Sequence, residues 1–306
     1  MSIGGPTISC ADANHYTDIA RLTDFAMQCP SRVHPDLRRD IYDNRPFYRA
    51  RQRPGRLQFF VPGWVFTLSR SGWHAGELSG EVSWSRRADR FDFWKGLPAP
   101  VFPLTRRGIL RRRYHPTELA DFEPISKFLS ERLSASLDRP TVNALSLVRN
   151  TSSFQALSIA ERKVAEHALR GLRLPWTGMH GDLHLFNFLR RRGTEGYCII
   201  DWEYFDPQGS FAYDFIDFFV AGAMIQQGGR WEDLLSERNN WLSAARHVSQ
   251  VLDVNLQELV VFYLCLKTDI IVRHLNLSLK DPDGQGQRLI GILSGEVDRL
   301  ASQRDC

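Results

Sequence analysis

The chain has 306 residues, of which 43% are hydrophobic and 24% charged, and only five are cysteines. This composition is ordinary for a globular protein with a sizeable core and room for two domains. No apolar run approaches the roughly 18 to 20 residues that cross a bilayer. The N-terminus lacks the basic start and apolar stretch of a signal peptide. The cysteines form no C-x-x-C pair, so we expect free thiols and a cytoplasmic protein.

The net charge of +4 is distributed unevenly. Residues 1–114 hold 19 Lys and Arg against 10 Asp and Glu, whereas residues 115–306 hold 20 against 25. A basic first part is typical of proteins that bind polyphosphates or other anions, and it is equally consistent with a solvated surface. Nucleic-acid binding ranks last among the functions considered, because the aromatic-interleaved motifs of RNA-binding modules are absent from the sequence.

The first part of the chain predicts a small β-rich lobe over residues 46–114, preceded by a polar N-terminal extension over 1–45. Aromatic and β-branched runs separated by Pro-Gly turns are typical of an antiparallel meander. The elements predicted here are the strands of a meander within 46–70, a helix over 76–94, and two short strands at 101–102 and 108–110. The predicted helix carries Glu77 and Glu81.

Beyond residue 114 the pattern predicts a mostly helical lobe over 115–306. Thr117 is the predicted cap of the first helix, and Pro124 is expected to kink or split that helix. Ser158 and Glu161 have the spacing of a capping box. The predicted elements are helices over 117–133, 158–172, 211–227, 231–252, 255–276 and 285–302, and a hairpin of strands at 187–189 and 197–200.

Three oxygen-bearing side chains stand in order in a strand–loop–strand setting, namely Asp182, Asn187 and Asp201. Transfer of a phosphoryl group needs a carboxylate that orients and deprotonates the acceptor hydroxyl, and oxygen ligands that hold Mg²⁺ on the nucleotide phosphates. We predict Asp182 as the base and Asn187 with Asp201 as magnesium ligands. His180 is predicted to support the loop by hydrogen bonding. Each residue alone is common in turns, but the ordered set beside an apolar strand predicts function.

The segment His180–Asn187, with Ile200–Glu203, resembles the signature of the aminoglycoside phosphotransferase and choline kinase-like family. This resemblance implies an α+β, two-lobed protein kinase-like fold, with ATP or GTP and Mg²⁺ in a cleft between the lobes. It implies that Asp182 is the catalytic aspartate and that Asp214 braces its loop from the start of a helix. Together with Asp214, the motif also resembles phosphotransferases encoded with bacterial glycan biosynthesis genes.

The nucleotide-binding elements of that family are not matched in the first lobe. The family places a lysine on the third strand, with a glutamate on the next helix, but the first lysine of this chain is Lys95. Arg70 is the nearest cation, although arginine is not an equal replacement for lysine. We assign Arg70 and Glu81 to nucleotide binding, with Glu77 as the alternative partner of Arg70. A glycine-rich phosphate loop is also absent from the sequence.

The expected acceptor is a small molecule with a hydroxyl group, such as a sugar, an aminoglycoside or other sugar-bearing antibiotic, or an amino alcohol. Glu203 is a candidate contact to it, and the acidic second part of the chain tolerates a cationic acceptor. Two alternatives stay open. The missing lysine would fit a pseudokinase that binds nucleotide without turnover. His180, Asp182 and His184 alternate as the metal ligands of a hydrolase would, with a further ligand from His115, His167 or His274.

Overall fold

The computed structural model describes residues 49–303 except for 54–55, 62–63, 70–71, 106–107, 113–114, 192–195, 228–229, 280 and 283. Its described residues form two compact units. The first unit runs to Ser83 and resumes over 99–112, and the second comprises Trp84–Pro98 and the chain from His115 onward. The predicted N-terminal extension lies outside the described residues.

The first unit contains a five-stranded antiparallel sheet and the larger part of one helix. The strands are β1 (Arg49–Arg53), β2 (Arg56–Val61), β3 (Trp64–Ser69), β4 (Val101–Thr105) and β5 (Gly108–Arg112), in the sheet order β1-β2-β3-β5-β4. The predicted meander and the two later strands are confirmed. Helix α1 (Gly72–Asp89) begins and ends earlier than predicted. After the helix the chain forms a turn, which carries Phe93 and Trp94 into the core of the second unit.

The second unit is mostly helical, so the α+β organisation predicted from the sequence is confirmed. Its helices are α2 (Phe122–Ala135), α3 (Ala144–Val148), α4 (Ser152–Ala156), α5 (Ile159–Gly171), α6 (Phe211–Gln227), α7 (Trp231–Ser236), α8 (Asn239–Leu252), α9 (Leu256–His274) and α10 (Gln285–Ser302). Helix α9 is buried along nearly its whole length and forms the centre of the core. Among the described residues, no helix is long and apolar enough to cross a membrane.

Two small sheets complete the second unit and carry the segments around the candidate site. The strands are β6 (His115–Pro116), β7 (Thr141–Asn143), β8 (Arg173–Pro175), β9 (Phe188–Arg190) and β10 (Tyr197–Ile199). One sheet has the order β10-β9-β6, and β7 pairs with β8. The predicted hairpin is confirmed as β9 and β10, where Leu189 lies opposite Cys198.

The start of the first helix in this unit differs from the prediction. Thr117 is not a helix cap, since helix α2 begins only at Phe122. Pro124 therefore lies in the first turn, where its missing N–H costs no helical hydrogen bond, and it does not split the helix. The Thr117 hydroxyl instead donates to the carbonyl oxygen of Leu185 at 2.7 Å.

Two further helix predictions have different outcomes. The capping box of Ser158 and Glu161 is confirmed, because both reciprocal hydrogen bonds are present at the start of α5. The single helix predicted over 231–252 is instead two helices, α7 and α8. The buried indole N–H of Trp241 donates to the carbonyl oxygen of Leu235 at 3.1 Å, which occupies an acceptor at the end of α7.

Candidate active site

The loop that carries the motif is held by one buried carboxylate. Asp214 is fully buried in the first turn of α6. Its Oδ2 accepts the backbone N–H of His180 and its Oδ1 accepts that of Gly181, each at 2.8 Å. Burial raises the pKa of Asp214 well above its ordinary value, while the two N–H donors favour the charged form. Asp214 thus holds the loop from the start of α6, as the family resemblance implied.

Gly181 is required by the course of the backbone at this point. Its φ is +89°, and a Cβ added there would lie 2.7 Å from Cβ of Tyr204 and 2.8 Å from the Tyr204 carbonyl oxygen. Both the conformation and the close approach exclude a side chain. The motif loop and residues 202–204 therefore pack directly against each other.

His180 is fully buried and uses both ring nitrogens inside the protein. Its Nε2 lies 2.9 Å from the carbonyl oxygen of Ile200, and its Nδ1 accepts the backbone N–H of Asp182 at 3.3 Å. These partners require the proton on Nε2 and a neutral ring. Burial lowers the pKa of His180 to about 4, and the charges of Asp182 and Asp201 oppose that shift. The ring also packs on Trp202, at 4.5 Å between centroids.

Asn187 connects the motif loop to the segment that precedes Asp201. Its side chain is almost fully buried, and its Nδ2 donates to the backbone carbonyl oxygen of Asp182 at 2.8 Å. The backbone carbonyl oxygen of Asn187 accepts the N–H of Ile200 at 3.0 Å. Because the amide nitrogen is used in this way, the amide oxygen is the atom left to bind a cation.

Asp201 adopts a left-handed backbone conformation, with φ 60° and ψ 57°. This region is sparsely populated by residues other than glycine, and Asp and Asn tolerate it best. The residue is half-buried at the start of the short 3-10 helix Trp202–Tyr204. In the part of the chain that the structure describes, its carboxylate makes no hydrogen bond that caps this helix. The carboxylate is therefore not committed to holding the turn.

The carboxylate of Asp182 is more accessible than its neighbours, with 37% of the side chain exposed. Its Oδ2 lies 3.7 Å from Nε2 of His184. The backbone N–H of Phe186 donates to Nδ1 of His184 at 3.2 Å, which places the His184 proton on Nε2, toward Asp182. An incoming hydroxyl can reach this carboxylate, while the loop beneath it is fixed by Asp214 and Asn187.

The residues predicted to bind nucleotide in the first unit are not assembled into a described site. Arg70 lies outside the described residues, as does the side chain of Glu77. Glu81 is buried in helix α1. Glu203 has an exposed side chain two positions after Asp201. The roles assigned to these residues stay predictions.

A buried ion pair next to the loop was missed by sequence reasoning. Nζ of Lys267 on α9 lies 2.8 Å from Oδ1 of Asp217 on α6, and both side chains are almost fully buried. The Tyr263 hydroxyl also donates to Oδ1 of Asp217, at 3.1 Å. Burial raises the pKa of Asp217, Lys267 lowers it, and the charge of Asp182 raises it further. The sequence signal for this pair was the presence of Asp214 and Asp217, three positions apart, in the otherwise apolar α6. That signal did not identify Lys267, which lies on another helix.

The arrangement of the histidines argues against the metal-dependent hydrolase. The described residues include no group of three or more His, Cys, Asp or Glu side chains that could hold a metal ion. Both ring nitrogens of His180 are occupied by backbone groups. Nδ1 of His274 lies 2.5 Å from the Tyr204 hydroxyl. His180 is thus used to build the loop, and His274 contacts Tyr204.

Asp214 thus braces the motif loop from the start of α6, within the second unit of an α+β chain. Residues 112–248, which include the motif, match the model of the Phosphotransferase enzyme family, in agreement with the resemblance of the motif. A search of curated proteins gives no match.

Several solved structures are similar to this chain at low identity. A choline/ethanolamine kinase family protein from Mesorhizobium loti is 16% identical, with 92% of this chain and 94% of that chain covered and a TM-score of 0.41. Choline kinase LicA from Streptococcus pneumoniae is 13% identical, with 87% and 98% covered and a TM-score of 0.48. An ethanolamine kinase from Plasmodium vivax is 14% identical, with 83% and 81% covered and a TM-score of 0.43.

Proposed function

We propose that this protein transfers the γ-phosphate of ATP or GTP to a hydroxyl group of a small molecule, with Asp182 as the base. The observation that carries the proposal is the hydrogen-bonded network of the loop. Asn187 donates to the Asp182 carbonyl and accepts from Ile200, the residue before Asp201. This network holds the three predicted functional residues in one fixed segment, as in-line phosphoryl transfer requires.

Asp182 has the exposure and the surroundings of a group that receives a proton. The carboxylate is accessible, and its backbone is held on both sides by Asn187 and His180. We assign it to orient the acceptor hydroxyl and to accept its proton as the oxygen attacks the γ-phosphorus. Nε2 of His184 faces Oδ2 of this carboxylate across 3.7 Å.

Asn187 and Asp201 fit a magnesium ion by their chemistry. Mg²⁺ prefers hard oxygen ligands and is commonly bound through one or two carboxylates together with phosphates. The amide oxygen of Asn187 and the carboxylate of Asp201 are such ligands. Within the described part of the chain, the hydrogen bond of the Asn187 side chain uses its nitrogen, and the Asp201 carboxylate does not cap its helix. When bound, the ion would neutralise charge on the nucleotide phosphates. Arg70 and Glu81 are our candidates for further nucleotide contacts.

The acceptor that we propose is a sugar, an aminoglycoside-type or other sugar-bearing antibiotic, or an amino alcohol. Glu203 is exposed close to Asp201 in sequence and is the candidate contact to a hydroxyl or amino group. The excess of acidic residues beyond residue 114 favours a neutral or cationic acceptor over an anionic one. Cys265 is a buried free thiol, which agrees with the cytoplasmic location that we propose.

The deciding experiment incubates the protein with Mg²⁺ and γ-labelled ATP or GTP against a panel of sugars, aminoglycosides and amino alcohols. Transfer of label to at least one acceptor is expected, and Asp182→Asn should reduce it by a factor of about 100 or more. Nucleotide affinity, measured by calorimetry, should stay within about threefold in this variant, because Asp182 faces the acceptor. Nucleotide binding without transfer to any acceptor would favour the pseudokinase and contradict the proposal.

A further inference from the structure

A cavity on the second unit, distinct from the motif loop, has the chemistry of a second binding site. Its volume is about 310 Å³, at the small end of the range for small-ligand pockets. Two arginines, two aromatic rings and two acidic residues line it, namely Arg132, Arg139, Phe93, Phe128, Asp92 and Glu131. These residues come from helix α2, from the turn after it and from the turn that follows α1.

Arg132 is the unusual member of this lining. Its guanidinium carbon lies 4.7 Å from the ring centroid of Phe93 and 5.6 Å from that of Phe128. Its Nε is buried and has no hydrogen-bond partner within the described part of the chain. Burial lowers the pKa of Arg132, and the charge of Arg139 lowers it further. This half-buried cation is stabilised by its aromatic neighbours, while its Nε has no oxygen acceptor among the described residues.

Arg139 adds a second positive charge to the same cavity. Its NH1 lies 3.8 Å from Oδ2 of Asp92, and that carboxylate is 76% exposed. Pairs of this kind contribute little, because solvent screens them. Glu131 also lines the cavity, but none of the ion pairs between described residues joins it to either arginine. Two arginines therefore face one cavity with only weak compensation. An oxyanion between them would remove both the repulsion and the unsatisfied donor.

We propose that this cavity binds the carboxylate or phosphate group of a small molecule, which accepts hydrogen bonds from Arg132 and Arg139. Arginine suits this task, since its planar fork matches the geometry of both oxyanions. The ring of Phe128 lines the same space and would pack against an apolar part of the ligand.

The site is separate from the proposed phosphotransfer centre. The rings of Phe93, Trp94 and Trp202 pack in succession, at 5.1 Å and 5.2 Å between centroids. They stand between Arg132 on one side and His180, which packs on Trp202, on the other. The inference therefore does not depend on the reaction proposed above, and it is tested without nucleotide.

The test titrates the full chain with benzoate and, separately, with inorganic phosphate, at constant ionic strength and without nucleotide or Mg²⁺. Calorimetry is expected to show saturable binding of at least one probe, and the probe that binds identifies the oxyanion. Arg132→Met should weaken that binding about tenfold or more, because it removes one or more charge-assisted hydrogen bonds. Arg139→Met should weaken it less. Arg170→Met, an exposed arginine on α5, should leave it unchanged.

Thermal unfolding gives a second readout. Without probe, Arg132→Met should unfold no lower than the wild type, because it removes an uncompensated charge and keeps an apolar contact with Phe93. The bound probe should raise the unfolding temperature of the wild type only.

If Arg132→Met does not fold, Arg132→Lys takes its place and should still bind more weakly. The inference is overturned if neither probe binds at about 10 mM, well above a millimolar Kd. Equal binding by the wild type and the Arg132 variant also overturns it.

Discussion

Asp214 and His180 are joined by a hydrogen bond of 2.8 Å from a backbone N–H to a carboxylate oxygen, although 34 positions separate them in the chain. The second oxygen of the same carboxylate takes the next N–H, that of Gly181. A carboxylate is the only side chain that offers two acceptors in this fork geometry. The position of Asp182 is thus determined by a residue that does not itself face the acceptor.

This relationship predicts the effect of Asp214→Asn. The amide keeps one acceptor but turns an NH₂ group toward the other backbone N–H, so one hydrogen bond becomes a contact between two donors. We expect a loss of about 1–3 kcal/mol in the free energy of unfolding. Turnover should fall by a factor of about 10 to 100, since a small misplacement of the base is costly. Chemical denaturation and steady-state kinetics measure the two effects. Asp298→Asn, an exposed control on α10, should change neither.

Gly181 makes a second prediction, in which conformation and space act together. Gly181→Ala must place a Cβ at φ +89° and within 2.8 Å of the Tyr204 carbonyl oxygen. We expect destabilisation of about 2 kcal/mol or more and a large loss of turnover. The matched control is Gly291→Ala on the exposed face of α10, where nothing lies within 4 Å of the added Cβ. That change should stabilise the protein by about 0.5–1 kcal/mol. Equal unfolding midpoints for the two variants would contradict this account of the loop.

The sequence predicted those features of the site whose residues lie near one another in the chain. The spacing of Asp182, Asn187 and Asp201 was readable because a short loop brings near neighbours together. The capping box at Ser158 was readable for the same reason, since its bonds span three residues. Helices with a clear apolar period were found within a few residues of their ends.

What could not be foreseen are the contacts made over long sequence separations. The hydroxyl of Thr117 supports the loop 68 positions away, although the sequence around it resembles a helix start. Nothing near Asp217 points to Lys267, and nothing near Arg132 points to Phe93. The missed break between α7 and α8 is instead local, since the side chain of Trp241 donates to the carbonyl oxygen of Leu235 only six positions earlier.

The third prediction compares two substitutions of Asp201, which separate the effect of its charge from the effect of its backbone conformation. Asp201→Asn keeps a side chain that tolerates the left-handed conformation and removes the charge. It should keep most of the stability but weaken magnesium-dependent nucleotide binding by about tenfold or more. Asp201→Ala should show the same loss of binding with an added destabilisation of about 1 kcal/mol. Calorimetric titration with and without Mg²⁺ checks the assignment. Unchanged affinity in Asp201→Asn would remove this residue from the metal site.

The ion pair of Asp217 and Lys267 gives a fourth prediction. Lys267→Met leaves the fully buried carboxylate of Asp217 without its cation, and a loss of about 3–5 kcal/mol in stability is expected. The double variant Asp217→Leu with Lys267→Met removes both charges and should recover much of that loss. A double-mutant cycle from denaturant unfolding measures the coupling between the two residues. Additive effects of the single changes would show that the pair is not coupled.

His180 makes a prediction about pH. Its pKa is near 4 in the native state because of burial, against about 6.5 when unfolded. Between these values the unfolded chain binds a proton that the native state excludes, so stability rises with pH in this window and is lost as pH falls from about 6.5 to 4. The loss is on the order of 3 kcal/mol at about 1.4 kcal/mol per pH unit. His180→Gln should be less stable at pH 7 but should lack this part of the pH dependence. His167→Gln, an exposed control on α5, should keep it. Denaturant unfolding of the three proteins from pH 7 to pH 4 isolates the effect of His180, because the other groups are common to all. Parallel curves for His180→Gln and the wild type would show that the buried ring is not the source.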